Sequence, residues 1–83
     1  LMDDVYFYMM NDDDFYRKNY YPTMNKCKQT GDNESVIPLI DSCIKEYCMK
    51  YKIPKQIADQ ITPEDKNLLM QRMMDTEKEN EEQ

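Results

Sequence analysis

The clearest pattern of apolar and polar positions lies between Ser35 and Tyr51. Apolar residues recur there at steps of three and four, which places them on one stripe of an α-helix; they are Val36, Ile40, Cys43, Ile44, Tyr47, Cys48 and Tyr51. Pro38 fits such a helix only in its first turn, so the helix must begin near Ser35. Pro54 ends it, because the residue before a proline avoids the α region. The opposite face carries mostly polar residues, which are Asp41, Ser42, Glu46, Met49 and Lys50.

Two further helices are predicted after Pro54. The first is a short turn in which Ile57 and Ile61 face inward. The second begins at Thr62-Pro63, where the threonine caps the helix and the proline takes its first position. This last helix has a wide apolar stripe of Leu68, Leu69, Met70, Met73 and Met74, and some of this stripe is predicted to be core and some a partner surface.

The N-terminal third is rich in aromatic residues. An unbroken apolar run from Val5 to Met10 follows two aspartates, and we favour a helix packed on the central one. The alternative is an arm that folds onto a partner, with Tyr6, Phe7, Met9 and Met10 as anchors.

The acidic run from Asn11 to Asp14 invites a calcium interpretation. An EF-hand loop needs glycine at its sixth position and glutamate at its twelfth, and here those positions hold Tyr16 and Pro22. The run is better explained as the acidic N-terminus of a helix capped by Asp12 or Asp13.

Pro22 is predicted to kink or split that second helix, and Gly31 to stop it. The aromatic residues Phe15, Tyr16, Tyr20 and Tyr21 are interpreted as core or protein interface. A platform for stacking nucleic-acid bases is less favoured, because only Arg17 and Lys18 supply nearby cations.

Composition supports an all-α fold. The 83 residues include one glycine and four prolines, which leaves little material for hairpin turns. We predict one domain, a small bundle of three to five helices. Its segments are aromatic-rich N-terminal helices over residues 1–31, the central helix over 35–52, a short helix over 54–61, a C-terminal helix over 63–77 and an acidic tail over 78–83.

The formal net charge of −6 narrows the class of partner. Acidic residues gather at both ends of the chain and cations lie between them, which argues against strong direct binding to nucleic acid or to an anionic membrane. No apolar run approaches the length of a membrane span, and no signal-peptide pattern is present. The expected location is the cytoplasm, of a bacterial host if the chain is phage-encoded, and the expected state alone is a monomer.

No motif for catalysis, a cofactor or a metal is found. The chain has no histidine, the commonest general base, and no glycine-rich phosphate loop. Its cysteines, Cys27, Cys43 and Cys48, are odd in number and are interpreted as buried small hydrophobes. We therefore expect no enzymatic activity and no cofactor.

The order of features from Val36 onward suggests a family. An amphipathic helix ends in Lys52-Ile53-Pro54, a short turn leads to Ile61-Thr62-Pro63, and a helix with Leu68, Leu69 and Met73 precedes an acidic stretch near Glu79-Asn80. Residues 36–80 thus resemble the small late-transcription coactivators of T4-type phages, which dock on the flap of host RNA polymerase and link it to a sliding clamp. The resemblance implies polymerase docking. Residues 1–34 have no counterpart, and Glu81-Glu82-Gln83 do not match the family's hydrophobic clamp-binding tail, so clamp binding is not expected from the resemblance.

The sequence therefore predicts a protein-binding module, with a phage transcription accessory factor that docks on host RNA polymerase as the first hypothesis. The alternatives are a small structural subunit of a virion or other assembly, and an acidic DNA mimic or host-enzyme inhibitor. The candidate partner-binding residues are Ile44, Tyr47, Tyr51, Leu69, Met70, Met73 and Met74.

Overall fold

The computed structural model describes the backbone of residues 1–82 and the side chains of residues 1–79. Within that range the chain forms helices and no strand, which confirms the predicted all-α bundle of three to five helices. We number the helices in chain order. They are α1 at Met2–Asn11, α2 through the consecutive stretches Asp13–Phe15, Tyr16–Tyr20 and Tyr21–Thr30, α3 at Val36–Lys50, α4 at Lys55–Ala58 and α5 at Pro63–Glu82.

α2 continues past Pro22 because it widens before the proline. The stretch Tyr16–Tyr20 is a π-helical turn, in which the Tyr21 N–H donates to the Tyr16 carbonyl five residues earlier. A proline ring in a regular α-helix clashes with the carbonyl four residues before it, and the wider turn relieves that clash. The helix therefore bulges where a kink or a split was predicted. It ends at Gly31, which has a positive φ of 72°.

Helix starts follow the predicted capping chemistry in two places. Asp12 caps α2, since its Oδ1 accepts the Phe15 N–H at 2.9 Å. At α5 the Thr62 hydroxyl accepts the Asp65 N–H at 3.1 Å, and the Asp65 carboxylate accepts the Thr62 N–H at 3.0 Å. This reciprocal pair is a capping box with aspartate in place of the usual glutamate.

The C-terminal boundaries differ from the prediction. α4 is confined to Lys55–Ala58, and Ile57 is 43% exposed, so the inward orientation predicted for Ile57 is wrong. A four-residue helix makes about one turn, so its side chains point in different directions, and that of Ile57 points toward solvent. α5 continues to Glu82 where a tail was predicted from residue 78, because glutamate and lysine are good helix formers. The last residue of that predicted tail, Gln83, lies outside the described residues.

The core lies where α1, α2, α3 and α5 meet, and it consists of Val5, Met9, Phe15, Tyr20, Met24, Cys27, Val36, Leu39, Ile40, Cys43, Leu69 and Met73. Midway along α1, the Val5 carbonyl accepts a hydrogen bond from the Cys43 thiol of α3 at 3.5 Å. Just past the end of α1, the Asp12 carboxylate lies 3.4 Å from the Lys50 ammonium at the end of α3. The two helices therefore run in the same direction, and their C-termini lie side by side.

Candidate protein-binding grooves

The residues predicted to bind a partner fall into two classes. Leu69 and Met73 are only 4% and 0% exposed, and this corrects their assignment: they are core residues that face the other helices. A helix with a wide apolar stripe must bury its centre, and these two positions, four apart, form that centre. The remaining five keep some exposure; they are Ile44, Tyr47, Tyr51, Met70 and Met74.

These five residues do not form one surface. Met70 and Met74 line a shallow depression of about 280 Å³ beside Asn33. Ile44 lies in a groove between α3 and α4, whereas Tyr47 and Tyr51 lie in another groove between α1 and α3. The structure therefore offers two larger candidate grooves, on different sides of the central helix.

The groove between α3 and α4 has an apolar floor and a charged rim, and we call it the basic-rimmed groove. Its volume is about 480 Å³. The floor is formed by Ile44, Cys48, Met49, Ile53 and Ala58, and the rim by Asp41, Lys45, Lys52 and Lys55. Met49 is 70% exposed, so a large apolar side chain is available to a partner here.

The turn after α3 builds one wall of this groove. Lys52 has a φ of 55°, in the left-handed region, and the Ile53 N–H returns to donate to the Cys48 carbonyl at 2.9 Å. This is the hydrogen bond of a Schellman motif, which brings the residue after the left-handed position against the last turn of the helix. Ile53 and Cys48 thereby both reach the groove floor.

The rim of this groove is basic although the protein is acidic. Asp41 is already paired with Lys66, whose ammonium lies 2.8 Å from the carboxylate. Lys45, Lys52 and Lys55 make no ion pair with any residue that the structure describes. Three lysines with no anionic partner among the described side chains therefore surround an apolar floor.

The groove between α1 and α3 is aromatic, and we call it the aromatic groove. It has a volume of about 500 Å³ and is lined by Asp4, Phe7, Tyr8, Asn11, Asp12, Tyr47, Lys50 and Tyr51. The ring of Tyr8 meets those of Tyr47 and Tyr51 edge-on, at centroid distances of 5.9 and 6.4 Å. The Lys50 ammonium lies 5.4 Å from the Tyr8 ring centre and 5.9 Å from that of Tyr51.

The electrostatics of the aromatic groove keep the Tyr8 phenol neutral and the Asp12 carboxylate charged. Burial, followed by the nearby carboxylates of Asp12 and Glu46, raises the pKa of Tyr8 to about 12, and its hydroxyl donates to Glu46 Oε2 at 3.5 Å. The Phe15 N–H, and secondarily Lys50, hold the pKa of Asp12 below its usual value. The Tyr8 hydroxyl is therefore a hydrogen-bond donor, and Asp12 supplies the groove with a carboxylate at neutral pH.

The cysteines are free thiols. Cys27 and Cys43 are buried, and burial raises the pKa of Cys43 to about 12. Cys48 is half-buried in the floor of the basic-rimmed groove. Among the side chains of residues 1–79 no cluster of three or more metal-ligating groups occurs. The same part of the chain contains no helix with the length and apolar character that crossing a membrane requires.

Sequence reasoning missed several residues of both grooves. It assigned Met49 and Lys50 to a polar face, and it did not connect Tyr8 and Asp12 with the central helix. One available signal was the lysine spacing, since Lys45, Lys52 and Lys55 surround the apolar segment that ends in Ile53-Pro54. The contact between Tyr8 and Lys50 depends on tertiary packing, and no local pattern encodes it.

Comparisons of the chain with protein-family models, with curated protein sequences and with solved structures found no match. What the two grooves bind is therefore inferred from the geometry of this chain.

Proposed function

We propose that this protein is a non-enzymatic protein-binding module whose docking surface is the basic-rimmed groove. The observation that carries the proposal is the combination of a partly exposed apolar floor with three lysines that make no ion pair with the residues whose side chains the structure describes, in a protein of net charge −6. An exposed apolar surface with a polar rim is typical of a protein interaction site.

The occupant that fits this groove is an acidic amphipathic helix of a partner protein. Its apolar side chains cover Met49 and Ile53, and burying one such side chain fully contributes about 1.5–3 kcal/mol. Its acidic flanks meet Lys45, Lys52 and Lys55. Exposed ion pairs of this kind add little affinity but select the sign and orientation of the partner.

We propose bacterial RNA polymerase as the partner, because residues 36–80 resemble the late-transcription coactivators of T4-type phages. Every residue that lines the basic-rimmed groove lies within those residues, between Asp41 and Ala58. The groove is therefore placed in the part of the chain that carries the resemblance, and this agreement supports polymerase as the first partner to test.

A charge-swap experiment tests the occupant. Two labelled helical peptides share the same leucine stripe, and one carries glutamate on its flanks where the other carries lysine. We expect the full chain to bind the glutamate peptide and not the lysine peptide, as measured by fluorescence anisotropy. In the double variant Lys45→Glu and Lys55→Glu the preference reverses, because the rim then attracts the lysine peptide.

The matched control is the double variant Lys18→Glu and Lys26→Glu, which makes the same change in net charge at exposed positions outside both grooves. It should bind the glutamate peptide as the unmodified chain does. If both double variants lose binding equally, net charge is responsible and the groove is not the site.

Binding to purified bacterial RNA polymerase core enzyme tests the partner with the same two double variants. We expect binding that the Lys45 and Lys55 variant loses and the control variant keeps. Binding that both variants retain would exclude the groove as the polymerase contact. Absence of polymerase binding together with self-association of the chain would contradict the transcription hypothesis and support an assembly subunit.

A further inference from the structure

The aromatic groove already holds one cation, which belongs to the protein itself. The Lys50 ammonium lies near the rings of Tyr8 and Tyr51, and 3.4 Å from the Asp12 carboxylate. Aromatic faces and a carboxylate together attract a positively charged group. The bound ammonium shows which ligand charge the groove favours.

The backbone reinforces that preference. α3 ends at Lys50, and the C-terminus of this helix lies at the groove. It carries a partial negative charge from its unpaired carbonyl groups, and cations are stabilised there. The end of α1 at Asn11 adds little, because α2 begins at Asp13 and its positive N-terminal end lies beside it. Asp4 adds a second carboxylate to the lining.

We propose that the aromatic groove binds the side chain of an arginine from a partner peptide, and that Lys50 occupies the groove only until that arginine displaces it. This site is independent of the basic-rimmed groove. It recognises a ligand of opposite charge and lies between a different pair of helices.

Lys50 is easily displaced because it is held loosely. Its side chain is 55% exposed, and its ammonium meets Asp12 at a long 3.4 Å. Exposed ion pairs and exposed cation–π contacts are both weak, whereas a cation–π contact becomes stronger once a partner excludes water from it. A partner that covers the groove therefore gains more from its own cation than the protein loses when Lys50 moves into solvent.

Arginine is favoured over lysine as the ligand, because an arginine elsewhere in this protein contacts an aromatic ring and a carboxylate together. The Arg72 guanidinium lies 4.0 Å from the centre of the Tyr6 ring, and its Nη1 donates to Asp3 Oδ1 at 2.9 Å. A planar guanidinium stacks on an aromatic ring and reaches a carboxylate at the same time. The aromatic groove offers the same two partners in Tyr51 and Asp12, and Tyr51 is 54% exposed.

The test uses a tripeptide, acetyl-Gly-Arg-Gly-amide, and an analogue in which the uncharged isostere citrulline replaces arginine. Each is titrated into the full chain while NMR records the amide and ring signals of Tyr8, Tyr47 and Tyr51. We expect saturable shifts with the arginine peptide only. We also expect Lys50→Met to bind it about fivefold more tightly, because the competing ammonium is gone.

Two further variants control for folding and for net charge. Asp12→Asn keeps a good helix cap but removes the carboxylate, and it should weaken binding of the arginine peptide. Lys26→Met makes the same charge change as Lys50→Met at an exposed position outside the groove, and it should bind as the unmodified chain does.

Three results would overturn the proposal. Equal shifts with the arginine and citrulline peptides would show that charge is not recognised. Shifts absent in both the unmodified chain and Lys50→Met would show that there is no site. Equal affinity of the unmodified chain and Lys50→Met would show that Lys50 does not compete.

Discussion

Two helices of this protein are followed within two residues by a residue in the left-handed region, and the residue type differs between the two positions. α2 ends on Gly31 with a φ of 72°, and the turn after α3 places Lys52 at 55°. Glycine adopts this conformation without steric cost, whereas other L-residues lose about 1–2 kcal/mol. Lys52 is therefore a strained position, and its strain supports the turn that brings Ile53 to the basic-rimmed groove.

Replacing Lys52 with glycine should raise the free energy of unfolding by about 0.5–1 kcal/mol, because relief of strain exceeds the added flexibility of the unfolded chain. Urea denaturation measures this change in the free energy of unfolding.

The opposite control is Gly31→Ala, which should lower the free energy of unfolding by about 1 kcal/mol. An added Cβ at Gly31 meets no atom within 4 Å, so the loss there comes from backbone conformation alone. If Lys52→Gly destabilises the chain, Lys52 is not strained.

At the scale of elements, polar contacts fix the second half of α5 against α1 and α2. The Tyr20 hydroxyl donates to Glu77 Oε1 at 2.8 Å, and the Lys28 ammonium lies 2.8 Å from Oε2 of the same carboxylate. On the α1 side, the hydroxyls of Tyr6 and Thr76 are 2.8 Å apart. These contacts secure a helix whose C-terminal half has few apolar residues.

The variant Tyr20→Phe should therefore lower the free energy of unfolding by about 0.5–1.5 kcal/mol, the usual net contribution of one hydrogen bond. Tyr20 is 1% exposed, so the phenylalanine ring keeps the packing and only the hydroxyl is lost. The control is the neighbouring change Tyr21→Phe, at a residue that is 56% exposed, and it should leave stability unchanged. Equal stabilities of the two variants in urea would contradict a structural role for the Glu77 contact.

Local patterns predicted much of this element structure. The Thr62 cap, the Asp12 cap and the Gly31 stop follow from which side chains satisfy unpaired backbone groups, and these are short-range effects. The periodicity of α5 predicted its apolar stripe, but which residues of the stripe are core and which remain exposed was not predicted. Leu69 and Met73 became core and Leu68 remained 59% exposed, because the angle at which α5 meets its neighbours decides that outcome.

The grooves were harder to predict, because the aromatic groove joins segments that are distant in the chain and the basic-rimmed groove depends on an unusual backbone turn. The contact between Tyr8 and Lys50 spans the loop and the whole of α2, and the sequence pattern of neither segment indicates it. The basic-rimmed groove depends on the left-handed backbone of Lys52, and lysine is rarely the signal for such a turn. A lysine near a helix end is instead expected as a complement to the helix dipole.

At the scale of the whole molecule, the net negative charge repels the ligand proposed for one groove and attracts the ligand proposed for the other. The protein measures 38 × 26 × 20 Å and carries a net charge of −6. The electrostatic screening length is about 30 Å at 0.01 M salt and about 8 Å at 0.15 M, so the entire molecule is sensed at low salt and only nearby groups at physiological salt. An acidic ligand is thus repelled by the net charge of the molecule but attracted by the lysine rim. A cationic ligand is attracted both by the net charge and by the carboxylates of the aromatic groove.

The two probe ligands should therefore respond differently to salt. Between 0.01 and 0.15 M, binding of the arginine tripeptide should weaken several-fold, because both its long-range and its local attraction are screened. Binding of the glutamate-flanked helical peptide should change by less than about twofold, because screening removes the repulsion from the net negative charge along with part of the attraction to the rim. Titrations of both ligands under identical buffers measure the two slopes. The citrulline tripeptide is the uncharged control and should show no saturable binding at either salt concentration. Parallel loss of affinity for the arginine and glutamate ligands would mean that local pairs alone govern both grooves, and that the net charge of the molecule does not influence which partner approaches.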